Sequence, residues 1–365
     1  MSAQTVFVQS IYLQNFRNFE QTSISFSPGI NVIHGLNAQG KTNILEAIYL
    51  ICMGRSFRTT HLQELIKQGK EFFYIEANFV KDGIQQVLKL SFNGQTRKIQ
   101  YNTTTYASFV PLIGLLPIVL CTPTDISLIS GSPSERRQFI DLHLAQVDPL
   151  YVHHLTRYLK AMKQRNYLLR HKKNSSLSVW EASMAHSAEY LMKKRKEVAL
   201  HFSPFLDQNM QCLSESQEKL EIGYKASFSK NSSDICKDLA SLLEKNRSKD
   251  IAVGTTLIGP HKDDYLLSVN EREAKLYCSE GQKRCAITAL RFGEWKRLAQ
   301  ILEVPPIMGI DDFAIHLDPK RTSFLQENLK NLGQVFITTP NHIEIHQDQN
   351  SIYVQKGTVF SETYS

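Results

Sequence analysis

The sequence lacks the features that mark secreted, membrane-spanning and zinc-binding proteins. Its six cysteines, at positions 52, 121, 212, 236, 278 and 285, include no Cys-x-x-Cys pair, so the pattern predicts neither a disulfide framework nor a zinc site. It contains no run of about 18 apolar residues, as a membrane-spanning helix requires. No basic stretch followed by an apolar one opens the chain. We therefore expect a cytoplasmic protein with reduced thiols and no membrane partner.

Positive charge is concentrated in one segment. Residues 151–200 contain eleven Lys and Arg against three Glu, a local excess of +8, whereas the whole chain of 365 residues carries +7. Such concentration favours a polyanion as partner, with a solvated helix face as the alternative. On helices these groups would neutralise DNA phosphates without reading bases. The predicted DNA-binding residues are Arg157, Lys160, Lys163, Lys193, Lys194, Arg195 and Lys196.

The pattern of strand and turn signals predicts an α/β protein with a mixed sheet. The segments 72–80, 84–92 and 98–101, separated by short turns, indicate an antiparallel meander. Strand-like runs return at residues 307–310 and 334–338, far along the chain. Both ends of the chain are therefore expected to form one nucleotide-type domain.

Between those ends, residues 134–210 are rich in helix formers and predict two or three helices, with loops at 174–178 and 226–234. We predict an ATPase lobe over residues 1–140, a helical arm over 141–250 and completion of the ATPase over 251–365. An insert of roughly 100 residues, at 1.5 Å per helical residue, gives a compact arm rather than a long coiled coil.

Residues 35–42 match the phosphate-binding loop pattern G-x-x-x-x-G-K-[ST] in full. The match lies between a strand-like run and a stretch with helical periodicity, as the mechanism requires. The glycines let backbone N–H groups surround the phosphates, Lys41 would reach the β- and γ-phosphates, and the Thr42 hydroxyl would bind Mg²⁺. The predicted ATP-binding residues are Gly35, Leu36, Asn37, Ala38, Gln39, Gly40, Lys41 and Thr42.

A P-loop needs an acidic partner at the end of another strand to hold magnesium. The apolar run 307–310 ends in Asp311 and Asp312. We predict that Asp311 binds the ion, through water or directly, and that Asp312 orients or deprotonates the attacking water.

Between these motifs, Ser279-Glu280-Gly281-Gln282 resembles the S-x-G-Q signature of ABC-type ATPases. The motif is short, and an ordinary capping box, Ser279 with Gln282 three residues later, is the alternative. The order of P-loop, signature and acidic strand favours the ABC interpretation, and Asp318 falls where that class places its D-loop.

Within the ABC class the chain resembles the RecF family, bacterial recombinational-repair ATPases related to SMC-type heads. The matching stretches are spread over most of the chain: residues 15–19, 40–48, 54–58, 131–133, 136–141, 259–264 and 281–284.

The resemblance implies that Ser279, Gly281 and Gln282 bind the γ-phosphate of ATP held by a second copy, in an ATP-dependent homodimer. It places Arg17 at the nucleotide site. It also implies gapped or single-strand/double-strand junction DNA as partner, with RecO and RecR, in RecA loading, replication-gap repair and the SOS response.

Three departures from the family pattern affect these expectations. Ala38 replaces a glycine, and its methyl group is tolerable only if the backbone avoids a positive φ. The segment leading to Asp318 lacks the family's Ser and Glu, which affects the expected D-loop contacts. The strand-like run 336–339 fits the family's switch region, but no histidine occupies the switch position, so no catalytic role is assigned there. His342, nearby, is expected to be a surface residue.

Alternative functions remain open. Asp312 stands where ABC enzymes commonly have Glu, so we expect slow turnover, and an ATP-gated interaction module without turnover is one alternative. An SMC-like or transporter-type ABC subunit is another, although Ser279 lies 238 residues after Lys41, much farther than in transporter subunits. A metabolic kinase would not carry S-x-G-Q before its acidic strand.

Overall fold

The computed structural model describes residues 5–173, 176–213, 218–228, 234–312, 327–345 and 348–362. The chain divides into two compact units, one formed by Met1–Asp125 with Arg291–Ser365 and the other by Ile126–Leu290. The sequence-based boundaries at 140 and 250 assign residues 126–140 and 251–290 to the ATPase, whereas here both ranges belong to the second unit. Contacts with the central helical residues explain the difference, since the ring of Phe139 contacts that of Phe202 and the Tyr158 hydroxyl lies 2.7 Å from Nδ1 of His261.

The regular elements alternate between strand-rich and helix-rich regions. The strands are β1 (Val6–Phe16), β2 (Phe19–Ser25), β3 (Ile30–His34), β4 (Phe73–Lys81), β5 (Ile84–Phe92), β6 (Arg97–Tyr101), β7 (Thr104–Tyr106), β8 (Ile118–Cys121), β9 (Leu220–Lys225), β10 (Asp264–Val269), β11 (Arg272–Glu273), β12 (Ile307–Ile310), β13 (Val335–Thr339), β14 (Asn350–Gln355) and β15 (Thr358–Glu362). The helices are α1 (Lys41–Met53), α2 (Ser127–Ser130), α3 (Pro133–Val147), α4 (Pro149–Arg170), α5 (Leu177–Leu213), α6 (Ile235–Lys245), α7 (Arg247–Val253), α8 (Ala274–Tyr277) and α9 (Glu280–Leu302).

The first sheet is antiparallel, with the strand order β2-β1-β4-β5-β6-β7. The predicted meander is confirmed as β4, β5 and β6, which pair in sequence order. Burial alternates along β1 and β4, as expected where one face of a sheet covers a core. Phe16 and Phe73 contact each other edge to face within that core.

The second sheet has the order β15-β14-β3-β13-β12-β8 and is parallel from β14 to β8. Strands β3, β12 and β13 are buried along their whole length, because a parallel sheet is covered on both faces. Both ends of the chain contribute strands, as the sequence predicts. The carboxyl ends of parallel strands meet at one edge, so the P-loop after β3 and Asp311 after β12 come together there.

The second unit contains the predicted helices and a small antiparallel sheet, β11-β10-β9. The two or three helices predicted over 134–210 are α3, α4 and α5, but α5 begins at Leu177 and shortens the predicted loop. Buried Arg165 of α4 forms ion pairs with Glu181 of α5, at 3.1 Å, and with Asp250 of α7, at 2.6 Å. In the described part of the chain the longest helix, α5, has 37 residues, and no helix there is long and apolar enough to cross a membrane.

Candidate nucleotide-binding site

The P-loop connects β3 directly to α1, as its sequence context predicts. Two of its glycines adopt conformations that favour glycine, with φ of +142° at Gly35 and +118° at Gly40. A Cβ atom at Gly35 would lie 2.3 Å from the carbonyl oxygen of Val354, and one at Gly40 would lie 2.6 Å from the side chain of Asn18. Both glycines therefore permit close approach as well as the turn itself.

Lys41 is buried and its ammonium group folds back over the loop. Its Nζ donates to the carbonyl oxygens of Gly35, at 2.7 Å, and Leu36, at 2.9 Å. Burial lowers the pKa of Lys41, while the carboxylates of Asp312 and Asp311 oppose that shift. The amine thus lies inside the loop, where phosphate oxygens would replace carbonyl oxygens as acceptors.

Thr42 and Asp311, which are 269 residues apart in the sequence, meet at the edge of the second sheet. The Thr42 hydroxyl donates to Oδ1 of Asp311 at 2.9 Å. Two oxygens that bind one Mg²⁺ at right angles, each at about 2.0–2.1 Å, lie about 2.9 Å apart. The hydroxyl and carboxylate therefore fit a shared magnesium ion, which binds oxygen ligands in proteins.

Thr338, at the end of β13, is a residue of this site that sequence reasoning missed. Its hydroxyl donates to Oδ1 of Asp311 at 2.7 Å and accepts from the backbone N–H of Asp312 at 2.8 Å. Burial raises the pKa of Asp311, and the hydrogen bonds from Thr338 and Thr42 oppose the shift. The signal that could have identified Thr338 is its place at the carboxyl end of the strand next to β12.

Ala38 departs from the expected backbone. Its φ is +63°, so the condition that a methyl group avoids a positive φ is not met. For an L-residue the left-handed conformation costs roughly 1–2 kcal/mol. The P-loop of this chain therefore holds a strained alanine.

Arg17, predicted at the nucleotide site, is paired with a buried carboxylate. Its guanidinium donates to both oxygens of Glu46 in α1, at 2.9 and 2.8 Å. Glu46 is fully buried and also accepts from Ser56, at 2.5 Å, and Arg58, at 3.4 Å. To contact a nucleotide, the Arg17 guanidinium would have to break its hydrogen bonds to Glu46 or bind both groups at once. The sequence signal that could have predicted this pair is Glu46 itself, an acidic residue within the apolar stretch of α1.

The S-x-G-Q segment lies at the start of α9. The backbone N–H of Ser279 donates to Oε1 of Gln282 at 2.8 Å, and the Ser279 hydroxyl accepts from the N–H of Gln282 at 3.2 Å, which confirms the capping box. Ser279 is exposed and Gly281 is half-buried. Ser279 can therefore cap α9 and still be accessible to a ligand. Asp318 lies outside the described residues.

Some of the predicted DNA-binding residues are exposed, and others are paired with carboxylates of this chain. Arg157, Lys160 and Lys163 of α4 and Lys193 and Lys196 of α5 are exposed, and Lys194 forms an ion pair with Asp148 at 3.3 Å.

Arg195 corrects the DNA-binding prediction. Its side chain is buried and makes three hydrogen bonds to Asp141, at 2.8, 3.0 and 3.1 Å, and one to the carbonyl oxygen of Pro260, at 2.6 Å. The guanidinium is therefore part of the unit's interior and not of its surface. His342 is exposed, as predicted.

The chain is similar in sequence to known proteins along most of its length. A family model described as the RecF/RecN/SMC N-terminal domain matches residues 7–359. A DNA replication and repair protein RecF of Protochlamydia amoebophila is 46% identical over 91% of this chain and 93% of its own. The chain belongs to the RecF family. A RecF of Chlamydia caviae is 38% identical over 92% of both chains.

Solved structures agree with this family. A RecF structure described as a recombination mediator protein with ATP, in the RecFOR pathway, has a TM-score of 0.91 and 29% identity over 98% of both chains. The Smc head domain of Pyrococcus furiosus has 16% identity and a TM-score of 0.58, and this likeness shows a similar fold only. RecF-family membership confirms the resemblance and the predicted ATPase-head fold with its helical insert. It sets aside the transporter and metabolic-kinase alternatives.

Proposed function

We propose that this RecF-family chain is an ATP-switched DNA-repair protein. It binds Mg-ATP at residues 35–42, closes onto a second copy of itself and acts at gapped or single-strand/double-strand junction DNA. The hydrogen bond between Thr42 and Asp311 carries the ATP part of this proposal, because it joins the P-loop to the acidic strand end. The RecF structures with ATP and with ATPrS, which share 28–29% identity with this chain, support it.

The residues of the site have distinct roles in this proposal. Backbone N–H groups of the P-loop bind the phosphates, and Lys41 exchanges its two carbonyl acceptors for phosphate oxygens. Thr42 and Asp311 would hold Mg²⁺, which neutralises phosphate charge when bound. Asp312 positions the attacking water, and its side chain is one methylene shorter than that of glutamate, so we expect slow hydrolysis.

Dimerisation is proposed because exposed groups occur at both motifs that would share one nucleotide. Ser279 is exposed at the start of α9, where N–H groups favour a phosphate. In the described part of the chain the three most exposed large apolar residues are Leu36, at 71%, Leu276, at 67%, and Tyr277, at 66%. The first lies in the P-loop, and the other two lie three and two residues before Ser279. In a two-fold dimer the same contact is made twice, so burying these side chains would favour closure.

DNA and protein partners are proposed from the family and from charge. The exposed residues Arg157, Lys160 and Lys163 of α4, with Lys193 and Lys196 of α5, are suited to phosphates without base recognition. Relatives described as DNA replication and repair proteins, and structures assigned to the RecFOR pathway, support roles with RecO and RecR in RecA loading, gap repair and the SOS response.

An ATP-gated interaction module without turnover is the second candidate. It is favoured by the aspartate at position 312, whose side chain is shorter than that of glutamate and would hold the attacking water less well. The two candidates differ only in hydrolysis. A turnover assay with bound DNA separates them.

Sedimentation of the wild type and of Lys41→Ala with ATP, with ADP and with gapped duplex DNA tests the proposal. We expect the wild type to dimerise and bind DNA with ATP, and to remain monomeric with ADP. Lys41→Ala should remain monomeric throughout. Tyr277→Glu should bind ATP but fail to dimerise. A wild type that stays monomeric with ATP and ignores DNA would contradict the proposal.

A further inference from the structure

Gln39 connects the P-loop to two turns from distant parts of the chain. Its carbonyl oxygen accepts from Nδ2 of Asn18, at 2.8 Å, and from the backbone N–H of Gly357, at 3.2 Å. Its Oε1 accepts from the backbone N–H of Lys356 at 2.7 Å, and its Nε2 donates to the carbonyl oxygen of Asn37 at 3.1 Å. Asn18 lies between β1 and β2, whereas Lys356 and Gly357 form the turn between β14 and β15.

The hairpin of β14 and β15 is itself anchored beside the start of the loop. Strand β14 pairs in parallel with β3, with Tyr353 opposite His34. The carbonyl oxygen of Val354 occupies the space that a side chain at Gly35 would need. One hairpin therefore contacts the P-loop at its first residue and, through Gln39, near its last.

The contact at the turn leaves no room for a side chain. A Cβ atom on Gly357, whose φ is +75°, would lie 2.7 Å from the carbonyl oxygen of Asn18. Asn18 in turn accepts from Nδ2 of Asn43, at 2.8 Å, in the first turn of α1. The hairpin turn, the turn before β2 and the start of α1 thus surround Gln39.

These contacts bear on phosphate binding through the direction of the peptide groups. A P-loop binds phosphates with its N–H groups, so its carbonyl oxygens point away from the ligand and need hydrogen-bond donors elsewhere. At Gln39 the outward carbonyl takes two donors, and the side chain takes a third from the hairpin. The backbone N–H is the one polar group of Gln39 that these four contacts do not use.

We propose that the β14–β15 hairpin holds the P-loop in its phosphate-binding form through Gln39, which makes Gln39 a positioning residue for ATP. This inference rests on the proposed binding of ATP at residues 35–42. Because the hairpin would order the P-loop before ATP arrives, less conformational entropy would be lost when ATP binds. ATP affinity should therefore depend on hairpin contacts that do not touch the nucleotide.

The test compares two variants with a matched control. Gln39→Met removes the side-chain acceptor and donor with little change of volume, and Gly357→Ala places a Cβ against Asn18. Each should weaken Mg-ATP binding, measured by calorimetry, by about three- to tenfold. Each should raise KM for ATP while kcat at saturating ATP stays within about twofold. Gln355→Met makes the same chemical change on the exposed residue before the turn and should bind ATP like the wild type.

The outcomes separate this inference from the proposed function. If the wild type binds ATP, Lys41→Ala does not, and Gln39→Met binds as tightly as the wild type, the positioning role is wrong and the ATP site stands. If Gln355→Met weakens binding equally, the effect is not specific to Gln39 and the inference is overturned. If the wild type itself binds no ATP, the proposed function fails first. Melting temperatures within a few degrees of the wild type would show that each variant is folded.

Discussion

At position 38 an alanine holds a backbone conformation that favours glycine. Its φ of +63° costs an L-residue roughly 1–2 kcal/mol, whereas glycine loses about 0.5–1 kcal/mol through its greater freedom in the unfolded chain. We therefore predict that Ala38→Gly raises the free energy of unfolding, by about 0.5–1 kcal/mol. Chemical denaturation measures the change.

The matched control for this prediction is Ala182→Gly, an exposed position within α5. There the same substitution should lower the free energy of unfolding by about 1 kcal/mol, because glycine weakens a helix interior. Equal losses at both positions would show that Ala38 carries no strain.

Because His261 is buried, we predict that the stability of the second unit depends on pH. Burial lowers its pKa to about 4, the carbonyl oxygen of Thr256 opposes the shift, and Lys262, Arg137 and Arg195 add to it. The folded state prefers the neutral ring, so this contribution to stability is present above the ordinary pKa of about 6.5 and is lost as pH falls towards 4. Between pH 7 and pH 5 the loss from this group should reach about 2 kcal/mol.

Urea denaturation at both pH values, on the wild type and His261→Gln, measures that effect. The variant should lose less stability on acidification than the wild type does. His201→Gln, at an exposed histidine of α5, should keep the wild-type response. An identical pH response in all three proteins would rule out the assigned role of His261.

At the residue scale, the sequence predicts candidate phosphate and magnesium ligands but not the residues that surround them. Motif spacing is enough to predict Thr42 and Asp311, because their chemistry requires those residue types. Arg195 is different, since charge alone suggests a surface residue. Its helical neighbours Leu191, Val198 and Phe202 are buried, and this apolar periodicity around Arg195 was the available signal of its burial.

At the element scale, α4 presents the test of the proposed DNA surface. Arg157, Lys160 and Lys163 are exposed on one helix. If all three contact phosphates, reversing them to Glu should reduce the magnitude of the salt slope of DNA binding by about 2–3. The slope is measured by titrating gapped duplex DNA over a range of salt concentrations in the presence of ATP.

Reversal of Lys98, Lys245 and Lys330, three exposed lysines on other segments, is the matched control. It should leave the slope nearly unchanged. If the two triple variants alter the slope equally, non-specific net charge explains the binding, and α4 is not the contact surface.

Elements with strong local signals were predictable, and their partners were not. The segments of the meander, separated by short turns, and the apolar run that forms β12 are identified from the sequence. The pairing of β3 with β13 and β14 joins residues about 300 positions apart, and no local pattern encodes such register. The contact of the β14–β15 hairpin with Gln39 was therefore visible only in the folded chain.

At the scale of the whole molecule, the first compact unit takes its residues from both ends of the chain. Its parallel sheet forms only when the C-terminal strands have joined β3, so the site depends on distant contacts. The sequence predicted this arrangement in outline, but it placed the boundaries by helix content. Residues 126–140 and 251–290 belong instead to the second unit.

The central claim is that each ATP site is completed by a second copy of the chain. Two variants, each defective in a different half of that site, test it directly. Lys41→Ala lacks a working P-loop but keeps Ser279, and Ser279→Arg lacks a working signature but keeps the P-loop. Neither should hydrolyse ATP alone, because Lys41→Ala remains monomeric and both sites of a Ser279→Arg dimer are incomplete.

ATP turnover of the equimolar mixture is the decisive measurement. Each mixed dimer would contain one complete site and one doubly defective site. The mixture should therefore hydrolyse ATP where neither variant does alone, at up to about half of wild-type turnover per chain. Turnover no higher than the mean of the two separate variants, at concentrations where the wild type dimerises, would show that a single copy contains the whole site.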